Sequence, residues 1–301
     1  MLPMTVSALP RLVLGLSLML NSCVLLSQPD APRVASPALD ELSGLAVSHA
    51  DPDLLWGHND SGAGPDLYRI GIHGEDLGSV HIAGVQAIDW EDIAAFDWQG
   101  KPALLIADTG DNQEKRKSVT LYAVSDPGRV GKAKLLWQLD FRYDNGPRDC
   151  EAVAVDPTDG SIILLSKRGQ PKYLYRLPLP KRKPPVGIAV AERLGEVHSI
   201  PGPTMTDLVS YPGRSIFFGQ PTALDISRDG GTAIVVTYKD TLRWRRRAQQ
   251  SWLETFATAP EVLDAPMLYQ AEAGAIAADG RSVFISGEGS HSPLLNVLLP
   301  P

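Results

Sequence analysis

The sequence predicts an all-β protein, and within that class a β-propeller. One short phrase returns five times, each time with a carboxylate or amide just ahead of an apolar run. The copies are Glu41-Leu-Ser-Gly-Leu-Ala46, Asp89-Trp-Glu-Asp-Ile-Ala94, Asp149-Cys-Glu-Ala-Val-Ala154, Gln220-Pro-Thr-Ala-Leu-Asp225 and Glu272-Ala-Gly-Ala-Ile-Ala277. Self-similar units of roughly 50 residues with several short strands are typical of propeller blades.

Composition and strand pattern support this interpretation. Each copy precedes a turn and a second apolar run, and the first three copies add a third run, at 67–70, 121–124 and 174–177. The 27 glycines and 25 prolines suit a fold with many tight turns, and no helical stripe appears beyond the N-terminus. One small sheet cannot bury its own faces, so the units must pack against one another around an axis.

The number of blades depends on how the third interval between copies is counted. The intervals between copies are 48, 60, 71 and 52 residues, and the long third interval contains residues 206–219. This segment is either a degenerate extra blade or an inserted hairpin. Counting it, together with a closing strand from the N-terminal side, favours six blades, and five is the alternative. We expect residues 39–301 to form one propeller domain.

The N-terminus resembles a targeting signal. Arg11 precedes a short apolar run, and the run ends in Leu20-Asn21-Ser22-Cys23, which is similar to a bacterial lipobox. The expectation is a lipoprotein signal peptide at 1–22, a lipid on Cys23 and a tether over 23–38. The protein would then be exported and held on the membrane, facing the periplasm or the cell exterior. Plain secretion and a Cys23–Cys150 disulfide are the alternatives.

Charge limits the classes of partner. The net charge is -7 and the isoelectric point is about 5.4, so the chain should repel nucleic acid and favour cations or neutral ligands. We expect a monomer with no nucleic-acid partner. The basic runs at 181–183 and 243–247 are best explained as solvated loops, with contact to anionic lipid headgroups as the alternative.

Propeller geometry gathers distant polar residues at one end of the channel. The innermost strand of a blade and the strand after it are antiparallel, so the start of the first and the end of the second lie on the same face. The opposite face receives the Asp-Gly turns at 159–160, 229–230 and 279–280. The starts carry Glu41, Asp89, Glu91, Asp149, Glu151, Gln220 and Glu272, and the ends carry His58 to Asp60, Asp108 to Asn112, Lys167, Arg168, Tyr238 to Asp240 and Glu288.

Two sets of candidate residues follow from this grouping. Hard oxygen donors near flexible glycines are the ligands that Ca²⁺ prefers. The candidate metal ligands are Glu41, Asp89, Glu91, Asp108, Asp111, Asp149, Glu151 and Glu272. The candidate ligand-binding residues are His58, Asn59, Lys167, Arg168, Lys239 and Glu288. The alternative is that the acids only cap loops and form salt bridges. The two Asp-x-Glu pairs, 89/91 and 149/151, are the strongest metal candidates because residues i and i+2 of a strand point the same way.

Several phrases together resemble a group of exported bacterial β-propellers, often lipoproteins, near the phytase-like and esterase-like propeller families. They are Ser43-Gly-Leu-Ala46, His58-Asn-Asp-Ser-Gly62, Asp89-Trp-Glu-Asp-Ile-Ala94, Asp108-Thr-Gly-Asp-Asn112, Gly146-Pro-Arg-Asp-Cys-Glu-Ala152 and Gly287-Glu-Gly-Ser290. The resemblance spans about residues 39–299 and implies a propeller. Propeller phytases hold Ca²⁺ in an acidic channel mouth that binds phosphate. The chain departs from the pattern at Cys150 and Gln220.

Two classes of function therefore remain. The first is a binding or scaffold propeller on the cell envelope, whose small-molecule or protein ligand the sequence does not identify. The second is a Ca²⁺-assisted hydrolase of phosphate or carboxylic esters. The chain carries no Gly-x-Ser-x-Gly elbow, His-Glu-x-x-His helix, Walker loop or dinucleotide fingerprint, and no catalytic residue can be assigned. Binding is therefore the preferred interpretation.

Overall fold

The computed structural model describes residues 31–301, and these form five blades of antiparallel strands. Blade 1 contains β1 (Leu42–Val47), β2 (Leu54–Asn59), β3 (Asp66–Gly71) and β4 (Asp76–His81). Blade 2 contains β5 (Trp90–Trp98), β6 (Lys101–Asp108), β7 (Val119–Ser125) and β8 (Leu135–Tyr143). Blade 3 contains β9 (Ala152–Asp156), β10 (Ser161–Leu165), β11 (Lys172–Pro178) and β12 (Ile188–Val197). β12 pairs in parallel with β8, so blades 2 and 3 share one eight-stranded sheet.

The last two blades follow a short helical insertion. The insertion consists of α1 (Met205–Ser210) and a 3₁₀ turn (Ser215–Phe217). Blade 4 contains β13 (Pro221–Ile226), β14 (Thr232–Thr237), β15 (Thr241–Arg245) and β16 (Glu261–Val262), with α2 (Trp252–Phe256) between its last two strands. Blade 5 contains β17 (Ala271–Ile276), β18 (Ser282–Gly287) and β19 (Leu295–Leu298).

The innermost strands close a ring. β1 contacts β5, β5 contacts β9, β9 contacts β13, β13 contacts β17, and β17 contacts β1. The propeller class is therefore confirmed, whereas the sixth blade favoured by the sequence does not form. Its proposed residues, 206–219, fold instead as α1 and the 3₁₀ turn. A capping box explains the helix, because Thr204 accepts a hydrogen bond from the Asp207 backbone and the Asp207 carboxylate bonds back to Thr204.

The N-terminal end of the described chain closes blade 5. Arg33 pairs antiparallel with Pro293, the Val34 amide donates to the Ser292 carbonyl at 3.0 Å, and Val34 is buried. The tether expected over residues 23–38 therefore does not extend through this segment. The signal peptide and Cys23 lie outside the described residues. The alternative Cys23–Cys150 disulfide therefore has only its Cys150 end within them. Within residues 31–301, no helix has the length and apolarity needed to cross a bilayer.

The core lies between the blades. Trp56, Trp90, Trp137 and Trp252 are all buried and act as packing residues. The three Asp-Gly turns also form as expected, with Gly160, Gly230 and Gly280 at φ values of 67°, 69° and 69°. Cys150 is fully buried between blades 2 and 3 and contacts the Leu165 carbonyl.

Two buried aspartates link blades through backbone amides. Asp92, on β5, accepts hydrogen bonds from the amides of Ile93, Val153 and Leu224, at 2.9, 2.7 and 3.1 Å. One carboxylate therefore joins blades 2, 3 and 4. Asp225, on β13, bonds the Ile276 amide of blade 5 at 2.7 Å. Burial raises the pKa of both carboxyls, to about 7 for Asp225.

We expect Asp92→Ala to lower the free energy of unfolding by about 3 kcal/mol or more, since it leaves buried amides without an acceptor, at about 1–3 kcal/mol each. Chemical denaturation measures the change. Asp97→Ala is the matched control on the same strand. Its half-exposed carboxylate makes only surface contacts with His49 and Arg228, and its loss should cost less than about 1 kcal/mol. Equal effects of the two variants would contradict the role of Asp92.

Candidate cation site at the channel mouth

The starts of the inner strands and the ends of their partner strands lie at one end of the channel, as the sequence predicts. The register shows it directly, because Leu42 pairs with Asn59, Trp90 with Asp108, Pro221 with Thr237 and Ala271 with Gly287. Four of the five inner strands carry a bulge immediately after this first pair. Each bulge bends its strand where the chain enters the mouth.

The bulges also correct the alignment of the fifth repeat. Ala271 opens the bulge of β17 as Trp90 opens that of β5, so Glu272 is equivalent to Glu91 and not to Asp89. Backbone bonds agree: the Asp60, Lys167 and Glu288 amides donate to the carbonyls of Glu41, Asp149 and Gln270. The expected equivalence of Glu272 with Glu41, Asp89, Asp149 and Gln220 is therefore wrong by two residues. Because strand side chains alternate, Glu272 still faces the mouth.

Five carboxylates converge at the mouth, and we call this set the acidic centre. It consists of two overlapping groups, Asp60 with Asp89 and Glu91, and Glu91 with Asp149 and Glu151. Within each group, one oxygen from each carboxylate lies within 4.8 Å of the others. The structure thus brings together the two Asp-x-Glu pairs singled out from the sequence. It adds Asp60, which the sequence placed at the mouth but not among the metal ligands.

Two cationic side chains offset only part of this charge. Lys167 pairs with Glu151, and the Arg168 Nε donates to Asp149 Oδ2 at 2.6 Å. Glu91 lies between both groups and is only 3% exposed. Among the described residues, no donor forms a hydrogen bond with its carboxylate. A buried carboxylate normally requires such partners, and Glu91 is the one buried carboxylate of the centre that lacks them among the described residues.

Crowding and burial raise the pKa values of three carboxyls in the acidic centre. Burial, with Asp60 as the next cause, raises the pKa of Asp89 to about 6. Burial and the neighbouring Glu151 raise that of Glu91 well above its usual range. Burial raises the pKa of Glu151 to about 8 even though Lys167 opposes the shift. The centre therefore holds protons near neutral pH that a cation could displace.

Gly110 lets a loop close over the acidic centre. A Cβ built on this residue would overlap the carboxylates of Glu91 and Asp89, so any other residue would push the loop or the acids aside. The Gly110 amide donates to the Asp89 carbonyl at 3.2 Å, and its carbonyl accepts from Arg116 at 2.7 Å. The glycine in Asp108-Thr-Gly-Asp-Asn112 thus serves close approach.

Asp108 and Asp111 support this loop and lie outside both groups. Asp108 pairs with Arg116 at 2.7 Å and accepts from the Ile88 amide at 3.0 Å. Asp111 accepts from the Arg116 amide at 2.6 Å, and its own amide donates to Asp149 at 3.0 Å. Both carboxylates are therefore used in holding the loop, which corresponds to the capping alternative considered from the sequence.

Four other candidate residues from the sequence lie outside the acidic centre. Glu272 accepts from the Tyr238 hydroxyl at 2.7 Å, and burial followed by Glu288 raises its pKa to about 9. Glu41 is exposed at the rim, and the Asn59 amide group donates to the Ala38 carbonyl. Lys239 is engaged by Asp207 of α1 at 2.8 Å.

His58 does not face the mouth. It is fully buried, and burial lowers its pKa to about 4, so it is neutral. Its ring meets Trp90 edge to face, with the centroids 5.5 Å apart. Gly44 makes room for the ring, because a Cβ there would overlap it. His58 is therefore a packing residue between blades 1 and 2.

Comparison with known proteins finds similarity only to solved structures, at low sequence identity. No protein-family model matches the chain, and no curated protein matches it. Among solved structures, it is similar to a chain of a nidogen/laminin complex, with 13% identity, 83% of this chain and 73% of that chain covered, and a TM-score of 0.44. It is also similar to a gluconolactonase from Xanthomonas campestris, with 12% identity, coverage of 86% and 72%, and a TM-score of 0.46.

Proposed function

We propose that this chain is a binding propeller that holds a divalent cation, preferably Ca²⁺, at the acidic centre. The observation that carries the proposal is Glu91, a carboxylate buried among four others with no donor among the described residues. A divalent cation would neutralise the excess charge and supply the missing partner. Bound there, it would also present a positive charge to an anionic ligand at the mouth.

The donor set fits Ca²⁺ better than other common metals. All five side chains of the acidic centre offer carboxylate oxygens, and none offers nitrogen or sulfur, as zinc sites commonly do. Ca²⁺ accepts about six to eight oxygens in flexible geometry, whereas Mg²⁺ prefers a strict octahedron that keeps several waters. A crowded set of carboxylates on three blades therefore favours the larger ion.

Two further side chains favour an anionic ligand. Lys167 and Arg168 lie beside the acidic centre, and the Arg168 side chain is 35% exposed. A ligand phosphate or carboxylate at the mouth could contact the guanidinium and the bound cation together. This arrangement agrees with the phosphate-binding mouth implied by the resemblance to propeller phytases.

We expect Ca²⁺ to stabilise the fold, by about 2.7 kcal/mol at a hundredfold excess over Kd. Glu91→Gln should weaken Ca²⁺ binding about tenfold or more, measured by isothermal titration calorimetry. It should also raise metal-free stability at pH 7. A carboxyl whose folded pKa lies above its unfolded value costs stability as the pH rises above the unfolded pKa. Removing that charge removes the cost.

The control for this experiment is Glu192→Gln, which makes the same change in a carboxylate that is 62% exposed on β12. It should leave both Ca²⁺ affinity and stability unchanged. Removing Asp149 and Glu151 together would be a poorer test, because Lys167 would lose its buried partner. If the wild type binds none of Ca²⁺, Mg²⁺ and Mn²⁺ at millimolar concentration, the proposal fails.

Ester hydrolysis is the second candidate, and the raised pKa of Asp89 favours it. A carboxyl with a pKa of about 6 is suited to act as a general base near neutral pH, and Lys167 could stabilise negative charge. A bound Ca²⁺ would polarise the ester oxygen. Binding remains the preferred function because the chain carries no recognised nucleophile motif.

For a hydrolase, we expect the rate on phosphate or carboxylic esters to rise with pH as Asp89 ionises. The rise should lie below the metal-free pKa of about 6, because bound Ca²⁺ stabilises the carboxylate. Asp89→Asn should lower this rate by a factor of about 100 or more. Asp97→Asn, near the far end of β5, which follows Asp89, is the control and should leave the rate unchanged. A screen without Ca²⁺-dependent turnover would leave binding as the function.

We also propose that the protein is exported and held on the membrane by a lipid on Cys23. The support is the lipobox-like sequence Leu20-Asn21-Ser22-Cys23. Replacing Cys23 by Ser should move the protein from the membrane fraction into the soluble exported fraction, as judged by cell fractionation. A Cys23→Ser protein that remains fully on the membrane would show that acylation is not the anchor.

A further inference from the structure

A separate cavity of about 260 Å³ opens near the mouth between blades 4 and 5. It is lined by Arg214, Phe217, Tyr238, Tyr269 and Gln270, and we call it the aromatic pocket. Tyr238 follows the end of β14 and Gln270 precedes β17, so both belong to the face that carries the acidic centre. None of its five residues is a candidate metal or ligand-binding residue from the sequence.

Aromatic rings form most of the pocket wall. The Phe217 and Tyr238 rings meet edge to face with centroids 6.3 Å apart, and the Arg214 guanidinium lies 4.8 Å from the centre of the Tyr269 ring. Phe217 and Tyr269 are nevertheless 42% and 67% exposed. Large rings left in contact with water around a cavity are typical of a recognition surface.

The inserted segment between blades 3 and 4 is fixed in place. Asp207 pairs with Lys239 at 2.8 Å, and the Arg214 Nη2 donates to the Leu268 carbonyl at 3.1 Å. Phe218, next to the pocket residue Phe217, is buried. The pocket wall is therefore formed in advance, which lowers the entropy lost when a ligand binds.

Two pocket residues also contact the charged groups of the mouth. The Tyr238 hydroxyl donates to Glu272 at 2.7 Å, and the Lys167 Nζ lies 5.2 Å from the centre of the Tyr238 ring. The Gln270 side chain donates to Glu288 at 2.6 Å. A ligand seated on Tyr238 would therefore have Lys167, and through it the acidic centre, on one side.

The polar groups and the volume of the pocket indicate which kind of ligand it would bind. The Tyr238 hydroxyl, the Gln270 amide group and one Arg214 N–H group already have protein partners. The wall consists mainly of ring faces and edges, which suit a flat aromatic ring. The volume is below the range of about 300–1,000 Å³ typical of drug-sized ligands, so it suits a single ring.

We infer that the aromatic pocket binds the aromatic ring of a small aryl anion whose charged group faces the acidic centre. This inference rests on the proposed function, since the cation and Lys167 receive the anionic group. It adds the class of ligand: an anionic head of phosphate or carboxylate type, attached to one aromatic ring.

The test compares phenylphosphonate with methylphosphonate, which carry the same head and differ in the ring. Isothermal titration calorimetry is done on the full mature protein with saturating Ca²⁺. We expect phenylphosphonate to bind about tenfold more tightly. Tyr269→Ala should abolish most of this preference while leaving methylphosphonate affinity unchanged, and Tyr269→Phe should retain it. Tyr269 is largely exposed, so both variants should fold, which thermal unfolding verifies.

Equal affinity for the two phosphonates, or a preference that survives in Tyr269→Ala, would overturn the inference. Titration with Ca²⁺ alone separates this failure from failure of the proposed function. Ca²⁺ binding without a ring preference would overturn the aromatic pocket and leave the cation site intact. A ring preference that requires Tyr269, in a protein that does not bind Ca²⁺, would support the pocket and overturn the cation site.

Discussion

The hydrogen bonds that Asp92 accepts across the channel are the contact on which the mouth depends. Its carboxylate binds amides of blades 2, 3 and 4, so strands distant in sequence are fixed around one small group. A ring of five inner strands is narrow enough for one side chain to reach the blade after next. The Ser43 and Thr222 hydroxyls add bonds from blade 1 to blade 2 and from blade 4 to blade 5.

Because this ring is narrow, the acidic centre brings together more carboxylates than cationic side chains. Five carboxylates from blades 1, 2 and 3 are brought together, but only Lys167 and Arg168 pair with them directly. Burial makes each unpaired charge costly, and protonation is the only relief that the described side chains themselves provide. A purely structural salt-bridge cluster would be expected to match its charges and to give Glu91 a donor. The excess of acid is therefore better explained by a cation than by stability.

Sequence reasoning was most reliable where one physical rule set the outcome. Strand alternation placed both acids of each Asp-x-Glu pair toward the channel, and blade geometry brought Lys167 and Arg168 to them. It was less reliable where the outcome depended on tertiary context. The repeat phase of blade 5 was misread by two residues, so that Glu272 was aligned with Asp89 and not with Glu91, and His58 was buried under Gly44. The helix at Met205–Ser210 does have a sequence signal, the Thr204-x-x-Asp207 capping box.

The corrected alignment of blade 5 also shows which blades contribute acids to the mouth. Glu91, Glu151 and Glu272 occupy equivalent positions in blades 2, 3 and 5, where blades 1 and 4 have Ser43 and Thr222, whose hydroxyls bond to backbone. The acids are thus distributed unevenly around the axis, and blade 4 contributes Tyr238 in their place. The proposed ligand of the acidic centre would consequently have its uncharged part toward blade 4. The helical insertion stands beside blade 4 and supplies Arg214 and Phe217, so it completes the part of the mouth where blade 4 has Thr222 in place of an acid.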